Sequence, residues 1–343
     1  MRSHPLRALP LAMASLAACA VAARAESIDE LYAKAKQEKT LVLYGAGPTG
    51  SHDRWVKDFR ERFPGVTVEL TGGLSTALNK KVEEQLARKK IETDLAIFQT
   101  IQDFSKWKKA GALLLYKPDG SDMIDPAYKD EDGAFTAVSV NTIVYAYNTK
   151  LLPAADVPKS ALDFLKPIFQ GRLITVDPSE DDAGLAVFNM IVTKYGWSYM
   201  DRYMAQKPAF VTTGHQTVSN AIADGEKLAT FDSTSTTPRL KAAGKPIEPV
   251  FSQVDDTPVF LVGAAIFKDA PHPNAAKLYL NWYLAKEQQA RSGTFSPRAD
   301  VPPPPGLQPL SSYRIDSSYR KLVTDEARVA DLRKRFATYT GKR

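Results

Sequence analysis

Short β-rich runs alternate with helix-length amphipathic runs along this chain, and that alternation constrains the fold more than any other feature. Residues 40–44 (TLVLY) read as a strand. Residues 51–63 then read as a helix, with Trp55, Phe59 and Phe63 four apart on one face. A strand follows at 66–70 and a helix at 75–90, where Leu78, Val82 and Leu86 share a stripe and Ser75 is a candidate N-cap. A third strand spans 93–98, and a short helix 104–110. This strand–helix rhythm predicts an α/β sheet with parallel strands, because each helix must bury its apolar face on the sheet.

A second α/β set begins after a long β-rich stretch, TAVSVNTIVYAYN, at 136–148. It comprises strands at 172–176, 210–212 and 228–231, with helices at 183–195, 198–204 and 217–223. Strands at 247–251 and 259–267 precede a helix over 274–291. One or two helices over 317–337 close the chain. Two sets joined by long β stretches suggest two lobes with crossovers near 138–148 and 249–262. The expected division is 26–138 with 263–310 as one lobe, 139–262 as the other, and 311–343 as closing helices. Periodicity alone leaves the return to the first lobe open.

Composition narrows the function. Of the 343 residues 44% are hydrophobic and 24% charged, the balance of a folded globular protein. A single cysteine excludes a disulfide scaffold and a cysteine-built zinc or iron–sulfur site. The formal net charge is +6, but residues 1–25 hold three arginines and no acid. Setting those aside removes half of the surplus, so nucleic acid is not an expected partner.

The start reads as an address. Arg2 and Arg7 precede an apolar run over 8–23, and Ala23-Arg24-Ala25 is a small-x-small cut pattern. A cleaved signal peptide over 1–25 is expected, with export to the periplasm and a mature chain from Glu26. Leu16-Ala17-Ala18-Cys19 also resembles a lipobox, so anchoring through Cys19 is the alternative.

Gly45-Ala46-Gly47-Pro48-Thr49-Gly50 matches G-x-G-x-x-G after a strand, and Glu69 follows nineteen residues beyond Gly50. On paper this is a dinucleotide fingerprint with Glu69 on the ribose, which would make the chain a secreted NAD(P)-dependent oxidoreductase. Pro48 has no N–H to offer a phosphate, and no acid–base pair completes a dehydrogenase. A plain strand-to-helix turn explains the motif as well. A third reading has Gly47 and Thr49 offering backbone donors to a small ligand. No nucleophile elbow, Walker loop or HExxH occurs, so no catalytic residues are assigned and no cofactor is called for.

Several segments together carry a resemblance. They are Pro271-His272-Pro273-Asn274-Ala275-Ala276-Lys277-Leu278-Tyr279, the stretch WYLAKEQQ at 282–289, Ala223-Asp224-Gly225-Glu226, the stretch AAGKPIEPV at 242–250, and SPRADV at 296–301. In this order they resemble ABC-transporter substrate-binding proteins of the ferric-iron-binding type. The resemblance implies a two-lobe periplasmic-binding-protein fold (type II) with a hinge of two crossover strands and a ligand cleft. It implies capture of a small solute for a membrane permease and its ATPase, by a monomer that is not an enzyme.

Iron-binding members of that group place a tyrosine pair after the strand that follows the Gly-Glu turn. Here Asp232-Ser233-Thr234-Ser235-Thr236-Thr237 stands there, with no tyrosine. Ferric iron by phenolate chemistry is therefore not expected, although a non-tyrosine iron site stays open as an alternative. The hydroxyls, with Ser233 and Thr234 foremost, suit an oxygen-rich solute or a helix cap equally. Ser75, Thr76, Gln99 and Thr100 fall at carboxyl ends of strands, where open α/β sheets bind ligands. Asp177 and Ser179 lie in an acidic run over 177–182, which could grip a cation or simply complement a helix dipole. His215 lies in a loop where relatives meet ligand, and no second histidine makes it a zinc site. Asp232 completes the candidates. Tyr44, Trp197 and Tyr199 are stacking candidates or core. The basic residues Arg328, Arg333, Lys334 and Arg335 read as a solvated helix face or a permease contact.

Overall fold

The alternation becomes ten strands and intervening helices in a computed structural model that describes residues 26–341. The expected signal peptide and Cys19 lie outside those residues. The strands are β1 (Thr40–Ala46), β2 (Thr67–Gly73), β3 (Leu95–Phe98), β4 (Thr136–Asn148), β5 (Ile174–Val176), β6 (Ala209–Val211), β7 (Ala229–Ser233), β8 (Ile247–Val250), β9 (Thr257–Ile266) and β10 (Ile315–Asp316). One sheet runs β2-β1-β3-β9-β4-β7, with β10 beside β9 and β8 beside β4, while β5 and β6 pair separately.

The parallel expectation holds only inside each α/β set. β1 is parallel to β2 and β3, and β5 to β6. β4 and β9 are antiparallel to every neighbour in the main path. The reason is their route: each passes from one set to the other without a covering helix, so nothing forces a parallel crossover. Residues 136–142 of β4 pair with β9, while 143–148 pair with β7 and β8. β9 then pairs with β3, from Gly263↔Phe98 to Ile266↔Leu95. These two strands are the bridge between the lobes, and a register shift between Ala137 and Ser139 interrupts their ladder.

Each lobe has its own aromatic core. In the first, Phe59 packs 5.0 Å from Tyr279 and 5.3 Å from Trp282. In the second, Phe231 sits 4.5 Å from Phe164 and 5.4 Å from Phe188. The closing helices, Tyr319–Val323 and Glu326–Thr340, lie on the second core through Phe336, which is 6.0 Å from Phe188. Among the described residues no helix is long and apolar enough to cross a membrane.

Three local outcomes differ from expectation. A helix at Ile28–Glu38 opens the described chain, fixed by a capping box between Ser27 and Glu30. The expected helix over 274–291 is two, Pro273–Leu284 and Lys286–Ala290, because Ala285 turns extended (φ −56°, ψ 140°). Ser75 is not an N-cap: Leu74 holds that position without a side-chain bond, and the Ser75 hydroxyl accepts from the Gln99 N–H at 3.2 Å.

The glycine loop is closed on itself. The Gly47 N–H donates to the Gly73 carbonyl at 2.8 Å, and the Gly72 N–H to Thr49 Oγ1 at 3.3 Å. A methyl group at Gly72 would meet the Thr49 backbone nitrogen at 2.4 Å. Gly72→Ala is therefore expected to destabilise by about 1–3 kcal/mol, as overpacking against immobile backbone does. A urea midpoint equal to wild type would show that the loop yields.

Candidate functional site

A cleft with a cavity volume of about 190 Å³ opens where the carboxyl ends of β1 and β3 face the second lobe. Gly47, Pro48, Ser51, His52, Trp55, Ser75 and Gln99 line it from the first lobe, with Tyr283 from the last turn of the helix Pro273–Leu284 and Ser292 and Thr294 beyond that helix. The second lobe supplies Asp181, His215, Gln216, Ser233, Ser235, Thr236 and Arg239. The crossover strands supply Ser139, Asn141, Phe260 and Val262. A larger hollow of about 400 Å³ lies by Tyr145, Lys194, Tyr195 and Asp255, and holds none of the ligand-binding candidates selected from sequence, although Arg328 borders it. Its acid, Asp255, is already bound by Tyr145 Oη, Lys194 Nζ and the Ala161 N–H at 2.6–2.7 Å.

His215 organises the second-lobe wall. Its Nδ1 is 3.0 Å from Asp232 Oδ1, and its Nε2 lies 3.5 Å from Asp181 Oδ1. Burial alone would depress its pKa, but the two carboxylates override burial and raise it to about 10. Burial would likewise push Asp181 up. The His215 charge, the Gly184 N–H and Gln99 instead hold it at about 2. His215 is thus an imidazolium between two carboxylates. Asp232 is fully buried and also accepts from Ser219, from Thr236 at 3.4 Å and from Thr237 at 3.2 Å. His52, across the cleft, is the opposite case: burial lowers its pKa, and its Nε2 is 2.8 Å from the Ala46 carbonyl oxygen.

Two glutamines tie the lobes. Gln99 Nε2 donates to Asp181 Oδ2 at 3.0 Å, and Gln102 Nε2 to Asp182 Oδ2 at 3.1 Å. Arg333 also grips Asp182 and donates to the Ser179 carbonyl at 3.3 Å. Arg335 lies 3.7 Å over the Trp197 ring. Arg333 and Arg335 are therefore structural ties, not a purely solvated face.

Of the residues selected from sequence, Gly47, Ser75, Gln99, His215 and Ser233 line the cleft. Thr49 borders a separate outer hollow, and Thr76 is outside the lining. Thr100 is buried behind Gln99. Asp177 takes the N–H and hydroxyl of Ser179 at 2.8 and 2.7 Å, and both residues are buried away from the lining. Thr234 Oγ1 accepts from the Thr142 N–H at 3.0 Å, tying β7 to β4. Asp232 stands behind His215. The acids of the cleft are thus held by protein groups rather than offered to a cation. Tyr44, Trp197 and Tyr199 are all outside the lining: Tyr44 accepts from Gln85, Trp197 packs on Phe336, and Tyr199 stacks on Tyr203.

Sequence reasoning missed Ser139, Asn141, Arg239, Tyr283 and Thr294. A signal existed for two: Ser139 and Asn141 are polar residues two apart, on one face of a strand whose flanking residues Val138 and Val140 are apolar. Among the described residues no three His, Cys, Asp or Glu side chains form a metal-holding group.

The comparisons agree with this geometry. A Fe(3+)-binding periplasmic protein of Serratia marcescens is 26% identical over 196 residues, 56% of each chain. A probable ABC transporter periplasmic-binding protein of Sinorhizobium fredii is 24% identical over 211 residues, 58% of each. The matches thus span just over half the length of these curated relatives. The solved periplasmic binding protein AfuA from Actinobacillus pleuropneumoniae, with fructose-6-phosphate bound, superposes with a TM-score of 0.74 at 19% identity, covering 88% of this chain and 99% of that one. That likeness shows a shared fold. The family described as bacterial extracellular solute-binding protein matches residues 54–316, well over half of the chain, and the protein belongs to that family.

Proposed function

We propose that the protein is the periplasmic solute-binding component of an ABC importer, acting as a monomer that closes on a small polar solute and delivers it to a permease and its ATPase. One observation carries this reading: the cleft draws polar side chains from both lobes and from the strands that join them. A solute touching Ser75 and Gln99 on one side and Ser233 and His215 on the other favours the form in which the lobes meet. The hinge is β4 with β9. Residues 26–138 and 263–310 form one moving body, and 139–262 the other.

The relatives are binding proteins, and the glycine loop supports the same role. Gly47 gives its N–H to Gly73 and Pro48 has none, so the loop offers no row of donors to a pyrophosphate. Ferric iron is a second reading, favoured by the Serratia relative. Against it, Asp181 and Asp232 are engaged by His215, and no tyrosine follows β7.

Small-angle scattering of freshly purified protein, before and after stripping by partial unfolding and dialysis, tests closure. The loaded form is expected to have the smaller radius of gyration, at a monomer's mass. Native mass spectrometry of the same sample should show an added mass that denaturation removes. Superimposable scattering curves from a sample that mass spectrometry shows to be loaded would sink the closure mechanism.

A further inference from the structure

We propose that the hollow beside Tyr145 and Asp255 is a second small-molecule site, which takes an uncharged, mainly apolar molecule with one hydrogen-bond donor and whose occupant favours the joined form of the lobes. The site is separate from the interlobe cleft. Only its coupling to closure rests on the hinge reading above.

Size and lining suit such a molecule. The hollow's volume of about 400 Å³ lies inside the range of about 300–1,000 Å³ of small-molecule sites. Ile143, Val144, Val187, Met190, Ile191 and Val250 form its apolar wall. They come from β4, the helix Asp182–Tyr195 and β8. An apolar body laid on them takes that wall out of water.

The charges around the hollow cancel. Lys194 and Arg328 line it together with Asp255, Asp256 and Asp316. Arg314 pairs with Asp256 at 2.8 Å, so three cations meet three carboxylates. Asp255 is saturated by Tyr145, Tyr195, Lys194 and the Ala161 N–H. Asp316 accepts from the N–H and hydroxyl of Ser318 at 3.0 and 2.6 Å. An ion entering here gives up its hydration to a set of charges that sum to zero.

One polar group is unspent. Thr257 lines the hollow and is only 3% exposed. Its N–H donates to the Arg314 carbonyl at 2.8 Å, yet among the described residues its hydroxyl has no hydrogen-bond partner. A ligand N–H or O–H directed at Thr257 Oγ1 satisfies it.

Both strands of the bridge serve both sites. In β4, Asn141 lines the cleft, and Ile143, Val144 and Tyr145 line the hollow. In β9, Thr257 lines the hollow, and Phe260 and Val262 line the cleft. A hinge motion that twists these strands reshapes both walls together. The hollow described here belongs to the form in which Gln99 and Gln102 tie the lobes, so an occupant that fits it selects that form.

The test uses stripped full-length mature protein carrying 13C-methyl methionine, with indole as the probe. Met190 lines the hollow, and Met123, exposed elsewhere, is the control. Indole is expected to shift the Met190 methyl resonance saturably and leave Met123 in place. Indole-3-acetate, which adds a charge, and 1-methylindole, which lacks the N–H, should bind more weakly. Thr257→Val should weaken indole by about three- to tenfold, the worth of one hydrogen bond, and should bind indole and 1-methylindole alike. A urea midpoint at or above wild type checks that this variant is folded. A Met190 methyl unmoved up to the solubility limit of indole, equal binding of indole-3-acetate, or unchanged indole affinity in Thr257→Val overturns the site. Small-angle scattering of the stripped protein should give a smaller radius of gyration with indole than without. A Met190 shift at constant radius overturns the coupling. If solute-loaded and stripped proteins also scatter alike, the hinge reading of the cleft falls with it, while the second site stands.

Discussion

Replacing His215 with alanine is expected to lower the unfolding free energy by about 3–5 kcal/mol at neutral pH, the usual consequence of leaving a buried charge without its partner. Two carboxylates depend on this imidazolium, and Asp232 is fully buried. The pH dependence has a definite sign. The folded pKa of about 10 stands above the ordinary 6.5, so the stabilisation is complete below 6.5 and declines as pH rises towards 10. Asp181, held at about 2 against an ordinary 3.8, contributes above 3.8 and loses its part as pH falls towards 2. Urea unfolding at pH 6, 7.5 and 9 should show wild type losing stability across the alkaline window and His215→Ala staying nearly flat. A variant within 1 kcal/mol of wild type at pH 7.5 would mean that the ion triad does not exist.

Phe231→Ala is expected to be as damaging, by about 3–5 kcal/mol, for an apolar reason. The ring is buried among Phe164 at 4.5 Å, Phe188 at 5.4 Å, Tyr145 at 5.5 Å and Tyr203 at 6.0 Å. These neighbours come from four separate segments, so no single shift refills the space. The same strand carries Ser233 to the cleft and Asp232 to its place behind His215. Equilibrium denaturation gives the loss directly. A cost under 1 kcal/mol would show that the aromatic cluster collapses around the gap.

Much of the scaffold was legible because its signals are local. The β-branched run of β4 gave both of its ends, Thr136 and Asn148, and the stripe Leu78-Val82 gave the helix after β2. The helix Ile28–Glu38 was missed although Ser27-x-x-Glu30 announces it. The break at Ala285 was not legible: alanine favours helix, and only packing turns it outward. The cleft was half legible. Residues at strand ends, such as Ser75, Gln99 and Ser233, follow from a rule about sheets. Arg239, Tyr283 and Thr294 do not, because three distant segments meet only through the route of β9. Asp177 and Asp232 lie outside the lining, and their sequence context could not show it for a related reason. An acid beside a strand end has the same signature whether it faces solute or supports a neighbour.

The glutamine ties between the lobes bear on how such a molecule idles. Gln99 with Asp181 and Gln102 with Asp182 join the two halves through the protein's own side chains. Each such bond to a charged group contributes about 1.5–3 kcal/mol. On the proposed role, bonds between the protein's own side chains contribute to the shut form, and a cargo need supply only the remainder. On the proposed role, an empty carrier would then present a loaded-looking face to the membrane for part of its time. The transporter's basal ATP turnover would track that fraction, and Gln99→Ala should lower it while leaving cargo-driven turnover available at higher concentration.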